Sequence, residues 1–514
     1  MARPEVLKDL THFELDPESM QRLGLDFSAY HRVVVLGVID PEDQSKPVHV
    51  GLLDPDNQAL LDLVAERLMR PVKPVRLNEY EIKRALNVHR GRPLTQNENI
   101  VQLPVEEPGP RSQARQTIDY LLQEAVRRKA SDIHIETYFH DVDVRLRIDG
   151  ILHQQFTHLS PDNVREVITR LKVLTGMDIA ERRRPQDGRF QVIFVDNGER
   201  QQVDFRLSVV PSPGGEDAVI RVLDANIGLI PLDALGMPTD IQRTFTQLLH
   251  NPEGMLLVTG PTGSGKTTTL YASLLHIRAH TRKIITAEDP IEYYIDKINQ
   301  KEVSDVMSMA DLTRALMRQD PDVMLYGEIR DPATGDNAIT AAATGHLVLS
   351  TLHTADSVGS VVRLRTLGLE DVDIAGAMLG SMAQRLVRRI CPHCREPTLP
   401  TERQEILFGR LLEDHRYFEG AGCEACYGTG YKGRTGLFEL LVTDERLQDM
   451  IADGASRNEL RIAARRQSDF RTMLDDGLTK IDAGETTLDE LMRVLPYRHI
   501  VIARQEREQT LAAI

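Results

Sequence analysis

At 514 residues the chain has material for about two to four domains, and its 41% hydrophobic and 27% charged residues mark ordinary globular protein rather than a disordered or fibrous one. A formal net charge of −15 disfavours nonspecific binding to nucleic acid, whose affinity comes from Lys and Arg neutralising phosphates. No apolar run approaches the roughly 20 residues of a membrane-spanning helix, and Met1 to Glu5 lacks the apolar core of a signal peptide, so a cytosolic location is expected, with membrane contact only through partners.

The first hundred residues alternate strand-like and helix-like runs. Arg32 to Ile39, Val48 to Leu53 and Val72 to Val75 read as strands, and Asn57 to Leu68 and Asn78 to Val88 as helices. This predicts a small α/β docking domain, residues 1–103, with no catalytic constellation. Leu103 to Pro110, rich in proline and carrying two adjacent glutamates, reads as a linker.

An α+β middle domain is expected over 111–224. It has helices at Ala114 to Lys129 and Asn163 to Leu174. Its strands are Ile133 to Glu136, Val142 to Ile148, Ile151 to Gln155, Phe190 to Phe194, Gln202 to Val209 and Ala218 to Leu223. Asp149-Gly150 is a hairpin turn signal. Arg147, Arg206 and Arg221 are candidate phosphate ligands or arginine fingers, with surface salt bridges as the plainer alternative. Arg182 to Arg184 and Arg385 to Arg389 are short basic clusters of the kind that usually form solvated faces or meet intramolecular partners.

A tether, Ala225 to Pro231, leads into residues 232–390, where strands alternate with helices. That pattern predicts a RecA-like core with a parallel sheet. After the apolar run Met255 to Val258 comes Gly260-Pro261-Thr262-Gly263-Ser264-Gly265-Lys266-Thr267, followed by Thr268. It fits G-x4-G-K-[ST] between a strand and a helix. Such a turn aims backbone N–H groups at one point, suited to nucleotide phosphates; Lys266 adds a positive charge and the Thr267 hydroxyl a ligand for Mg2+.

Ligands gather at the carboxyl ends of parallel strands, and this rule sorts the acids. Glu328 follows the strand Val323 to Tyr326 and is the candidate Walker B acid, whereas Asp320 and Asp322 precede it. Lys283 to Ala287 is another strand, ending in Glu288-Asp289-Pro290-Ile291-Glu292. Three carboxylates so close repel one another unless a cation is near. Glu292 is the candidate general base and Glu288 a metal-shell or outer-shell group. Leu347 to Thr351 is flanked by His346 and His353. The second lies at the ligand end, placed to donate to a γ-phosphate; geometry alone makes His346 structural.

All four cysteines fall in 391–436, as the pairs Cys391/Cys394 and Cys423/Cys426. In a reducing compartment this arithmetic reads as a structural Zn2+ site, with thiol exchange as the competing chemistry. Residues 437–514 are expected to be helical, clearest at Met473 to Ala483 and Leu488 to Leu495, with a frayed helix from Arg504 to Ile514.

Together Gly260 to Thr267, Ala287 to Glu292, Arg318 through Asp331, and Gly345 through Thr354 resemble the Walker A, Asp box, Walker B and His box of the secretion ATPase superfamily. Ala130 to Glu136, Pro185 to Arg189, Gln384 to Val387 and Gly430 to Arg434 fit its further signatures, and the closest branch is the GspE/PilB type of type II secretion and type IV pilus assembly. The resemblance covers about residues 111–495 and only loosely the first hundred. It implies an ATP hydrolase working as a homohexamer, with nucleotide between the middle domain and the core. It assigns catalysis to Lys266, Glu292 and Glu328, and nucleotide contacts to both His346 and His353 and to Arg206 and Arg221. It implies docking on a cytoplasmic domain of a membrane-anchored partner and action on an inner-membrane platform protein. Thr354-Ala355-Asp356 departs slightly from the family's Thr-Asn-Asp, and no family counterpart is recognised for Pro496 to Ile514. A retraction motor is the alternative within the class, disfavoured by the tetracysteine segment and large N-terminal domain. A nucleic-acid translocase with a zinc finger is disfavoured by acidity. A scaffold that binds ATP without turnover is disfavoured by the presence of Lys266 and Glu328.

Overall fold

The computed structural model describes residues 16, 19, 22–24, 27–28, 31–37, 39, 46–77, 82, 85–86, 100–103, 112–196, 199–223, 229–304, 306–413, 415–467 and 469–512. These fall into two compact units, Met1–Ile118 with Asp162–Ala218, and Asp119–Pro161 with Val219–Ile514. The division cuts through 111–224, which the sequence presented as one domain.

The chain opens with β1 (Val33–Leu36), β2 (Val48–Leu52), α1 (Gln58–Leu68) and β3 (Val72–Arg76). Asn57 caps α1 by accepting from the Leu60 N–H, a preferred N-cap role for asparagine. β2 pairs antiparallel with β1 and parallel with β3, and the helix buries Leu61, Val64 and Leu68. The helix expected over Asn78 to Val88 lies mostly outside the described residues. An unexpected strand, β4 (Ile100–Leu103), pairs parallel with a later strand; the linker beyond it is also outside them. Next come α2 (Gln113–Arg127) and the antiparallel strands β5 (Asp132–Thr137), β6 (Val142–Ile148) and β7 (Ile151–Gln154). Asp149 and Gly150 both have positive φ, matching the predicted hairpin turn. After α3 (Val164–Thr175), β8 (Gln186–Asp196) and β9 (Glu199–Ser212) form a long antiparallel pair, and β4 joins β8 in the first unit. The strand β10 (Gly215–Leu223) passes from the first unit into the second.

The second unit is built around a seven-stranded sheet. After α4 (Thr239–Leu249), and with α5 (Lys266–Ile277), α6 (Met309–Leu316) and α7 (Pro332–Ala343) between them, the first five in chain order are β11 (Gly254–Thr259), β12 (Ile284–Glu288), β13 (Asn299–Glu302), β14 (Val323–Tyr326) and β15 (Leu347–Leu352). Helices α8 (Gly359–Thr366) and α9 (Asp371–Ala377) lead to β16 (Met378–Ile390). Beyond it lie β17 (Arg395–Thr398), α10 (Glu402–Phe408), β18 (Tyr417–Gly420) and β19 (Tyr431–Val442). The sheet order is β13-β12-β14-β15-β11-β16-β19. The central strands β11, β12, β14 and β15 are buried along their whole length and mostly apolar because helices cover both faces. Met255, Leu257, Met324 and Val348 enter one core, while Leu256, Val258, Leu325 and Leu349 enter the other.

Two expectations need correction. The sheet is not wholly parallel, because β19 lies antiparallel to β16 with Gly380 opposite Val442 and Gln384 opposite Phe438. Residues 431–442, read as the end of the cysteine segment and the start of a helical region, are a buried strand of the core sheet. The partners of this hairpin are separated by the whole cysteine segment, so no local turn signals them. The cluster Arg385 to Arg389 sits on β16, where Arg385 and Arg388 have intramolecular partners and Arg389 is exposed.

The C-terminal region carries α11 (Glu445–Ala452), α12 (Arg457–Ala464), α13 (Met473–Asp482), α14 (Leu488–Val494) and α15 (Tyr497–Ala512). Helix α14 is fastened to β16 through Glu490, whose side chain is 1% exposed. It accepts from the Arg388 N–H at 2.7 Å, Arg388 Nε at 3.0 Å and Arg493 Nη2 at 2.6 Å. Burial pushes its pKa up, but the bonds from Arg493 and Arg388 outweigh that and hold it below the usual carboxylate value. A depressed carboxylate contributes stability that is complete above its unfolded pKa and is lost as pH falls through the folded one. Glu490→Gln is therefore expected to cost about 2–4 kcal/mol near neutrality in urea unfolding, with the deficit shrinking below about pH 4. A deficit that does not change with pH would disconnect this carboxylate from acid stability.

Candidate active site

Strand β11 ends at Thr259, and the loop to α5 turns sharply. Gly260 has φ 154°, and a Cβ there would meet Ser264 Oγ at 2.5 Å and the Gln384 carbonyl at 2.6 Å, so the loop closes only with glycine at that point. Lys266 opens α5, and its Nζ donates to the Gly260 carbonyl at 2.9 Å and the Pro261 carbonyl at 3.1 Å. The helix start directs free N–H groups and positive potential into the loop. Above it is a cavity of about 420 Å³ lined by Thr262, Gly263, Gly265, Lys266, Thr267 and Thr268, with Glu288, Asp289, Glu292, Glu328, Arg330, His353 and Arg434 facing them. Ser264 is buried beneath the loop.

The acids sort by environment. Glu288 is buried and accepts from three neutral donors: Tyr271 Oη of α5, Thr286 Oγ1 at 2.5 Å and Gln300 Nε2 of β13 at 3.0 Å. That suits an outer-shell group. Asp289 faces Arg330 Nη1 at 3.4 Å, and the same guanidinium donates through Nε to Glu328 at 2.9 Å. His353 Nε2 lies 3.1 Å from the other Glu328 oxygen. For Glu292 burial pushes the pKa up, Arg221 and Lys266 pull it down, and the Glu288 charge adds to the rise, leaving it above the ordinary carboxylate value. Burial lowers the pKa of Lys266 against the pull of Glu328 and Glu292. The cations that relieve the acidic run within this chain are therefore Arg330, Arg221 and Lys266.

Arg221 itself pairs with Asp132 Oδ1 at 3.2 Å, and Asp132 also faces Arg147 at 3.7 Å. Arg206 belongs to the first unit, opposite Arg189 on the β8–β9 pair. His346 is not among the cavity residues. It immediately precedes the six-residue strand β15, roughly 20 Å from the end next to His353, and its Nδ1 lies 2.9 Å from the Ala341 carbonyl at the end of α7. Within this single chain His346 stands at the amino end of β15, away from the cavity. Arg434 was quoted only as part of a motif, and its place on the cavity wall follows from β19 joining the core sheet. Tyr271 and Gln384 were likewise missed as supports; Gln384 Oε1 accepts from Thr269 Oγ1 of α5 at 2.7 Å.

The four cysteines converge. Cys391 and Cys423 sulfurs lie 3.8 Å apart, Cys394 and Cys426 also 3.8 Å, and Cys423 and Cys426 3.7 Å. A tetrahedron with metal–sulfur bonds of about 2.3 Å has edges of about 3.8 Å, so the sulfur set has the size of a Zn2+ shell. The N–H groups of Cys423 and Gly430 point at Cys426 Sγ at 3.2 and 3.3 Å. Gly430 has φ 76°, and a Cβ there would strike the Gly420 carbonyl at 2.4 Å, so a side chain would pry the knuckle open.

A strand, a phosphate-sized loop, a lysine at a helix start and a glutamate just past the end of β14, one strand removed from β11 in the sheet, define a RecA-like P-loop ATPase. The chain belongs to the Type II/IV secretion system protein family, whose profile matches residues 110–493. It is 43% identical over 406 residues to the Type II secretion system ATPase E of Vibrio cholerae serotype O1, covering 78% of each chain. It is 40% identical over 387 residues to the Type IV pilus assembly ATPase TfpB of Acinetobacter baylyi, covering 74% of this chain and 65% of that one. The X-ray structure of the Legionella pneumophila ATPase DotB, at 21% identity and TM-score 0.55, covers 79% of this chain and 100% of that one and shares the fold. The family indicated by the sequence motifs is the family found.

Tyr271→Phe removes a donor from a buried carboxylate. Thermal and urea unfolding should show a loss of about 1–3 kcal/mol. Unchanged stability would mean that Glu288 does not depend on that hydroxyl.

Proposed function

We propose that this chain hydrolyses ATP in the cavity above Lys266 and that turnover powers type II protein secretion through an inner-membrane platform protein. The observation that carries the reading is the convergence of the P-loop, Glu328, Glu292 and His353 on one cavity, in a chain 43% identical to a type II secretion ATPase. Assembly of type IV pili is the second reading, favoured by the relative in Acinetobacter baylyi. Retraction and nucleic-acid translocation have no comparable support, and the net charge of −15 opposes the latter.

In this reading the loop amides and the Lys266 ammonium bind the β- and γ-phosphates. Glu292, its pKa raised by burial, accepts a proton from the attacking water, and Glu328 orients it. His353, beside Glu328, reports the γ-phosphate. The Thr267 hydroxyl and Glu328 are the groups that would hold Mg2+, which supplies neutralisation of phosphate charge. Cys391, Cys394, Cys423 and Cys426 would hold a structural Zn2+. The working form is a homohexamer, in which Arg206, Arg221 and His346 contribute nucleotide contacts. Residues 1–103 dock on the cytoplasmic domain of a membrane-anchored partner, and the assembly is cytoplasmic and peripheral to the inner membrane.

The test is ATP turnover by the assembled full chain. Lys266→Ala should abolish it, and Glu328→Gln should slow it by about 10²–10³ while nucleotide stays bound. Wild-type turnover in Glu328→Gln would remove that acid from the mechanism. In a strain lacking the gene, loss of exported enzymes with pili intact selects secretion, and the reverse selects pilus assembly.

Replacing Cys391 and Cys394 by Ser should abolish zinc in metal analysis and unfold the knuckle, lowering Tm, because a structural metal contributes folding free energy directly. Reduced, purified wild-type protein without zinc would refute the metal assignment.

A further inference from the structure

Helix α15 begins beyond residue 493, where the match to the family ends. It places His499 Nε2 3.7 Å from Asp356 Oδ2, the oxygen that accepts from Arg457 Nη2 of α12 at 2.5 Å. Asp356 is 8% exposed, and its Oδ1 accepts from the Gly359 N–H at 2.7 Å, closing the turn into α8. This carboxylate lies three residues after His353, in the segment whose Ala355 departs from the family pattern.

The segment is tied to the phosphate loop in two further places. The Thr354 N–H donates to Thr259 Oγ1 at 3.0 Å, and Thr259 is the last residue of β11 before Gly260. The Ala355 carbonyl accepts from Arg385 Nη2 at 2.9 Å, and the same guanidinium donates to the Gln384 carbonyl, against which Gly260 packs. Every link is a buried or half-buried polar contact, where a broken bond is costly.

We propose that Asp356 is a positioning residue and that His499 and Arg457 are its supports. Helix α15 thereby braces residues 353–359 from behind the sheet, holding His353 at 3.1 Å from Glu328. The loop amides that cradle phosphate are formed by α5 and the glycines, so the brace acts on the chemical step more than on nucleotide affinity. The inference rests on the reading of the cavity as an ATPase site, and its structural part is testable without turnover.

The experiment compares the full chain with His499→Ala, Arg457→Ala and His499→Gln by hydrogen exchange and by steady-state ATP hydrolysis, with fluorescent ADP as the binding probe. In both alanine variants, exchange over residues 354–359 should rise about fivefold or more, kcat should fall about tenfold, and the ADP Kd should stay within about twofold. His499→Gln, which keeps an N–H within reach of Asp356, should recover more than half of kcat. Unchanged exchange in both alanine variants overturns the proposal. So does a kcat loss matched by an equal loss of ADP affinity and of Tm, since that marks general packing. Should the wild type turn over no faster than Lys266→Ala, the ATPase reading fails, and the exchange result alone still decides whether α15 braces this segment.

Discussion

The site depends on strand ends lying level. β11, β12, β14 and β15 run parallel and in register, with Leu256 beside Leu349 and Thr286 beside Leu325. Their carboxyl ends therefore deliver the phosphate loop, Glu288, Glu328 and His353 to one edge of the sheet. Nothing in any single segment fixes these distances. They follow from two apolar cores that clamp the sheet from both faces and forbid a slip, because a one-residue shift would exchange the two faces of every strand. The cavity is then a rim of charges on an apolar slab, where Lys266 and Glu292 are both displaced from their ordinary pKa values by burial.

The same constraint explains what was legible. Short apolar runs ending in glycine or in an acid, such as Met255 to Val258 and Val323 to Tyr326, announce buried parallel strands. The carboxyl-end rule then assigns Glu328 and His353 without knowledge of the sheet order. His346 shows the rule at work in the other direction: it stands at the amino end of its strand, on a helix terminus. What stayed hidden is non-local. β16 and β19 pair across the cysteine segment, so neither a turn nor alternation reveals that Tyr431 to Val442 belongs to the core. Arg434 on the cavity wall and Gln384 under α5 were invisible for the same reason.

That hairpin gives the cysteine cluster a role beyond local order. The cluster closes the far end of the β16–β19 pair, and the other end of β16 borders β11. Gly433 and Arg434, directly after the knuckle, meet Asp149 at the β6–β7 turn, the Gly433 N–H at 2.8 Å and Arg434 Nε at 3.5 Å. Arg128 stacks 4.6 Å from the Tyr427 ring within the knuckle. The sulfur cluster thus draws a loop of about forty residues together beside the strand that carries Arg434 and beside the β6–β7 turn.

Buried polar groups on the back of the sheet need a reason, since apolar side chains of equal volume would pack there at less cost in desolvation. Glu439 is 5% exposed and accepts from Ser357 through both N–H and Oγ, and burial pushes its pKa up. With Arg385, Asp356, Arg457 and His499 it forms a polar seam from the phosphate loop to the C-terminal helix. An apolar seam would tolerate small rotations of residues 353–357 at little cost. Directional bonds to Asp356 and Glu439 allow one arrangement, which suits a loop that holds the His353 imidazole 3.1 Å from Glu328.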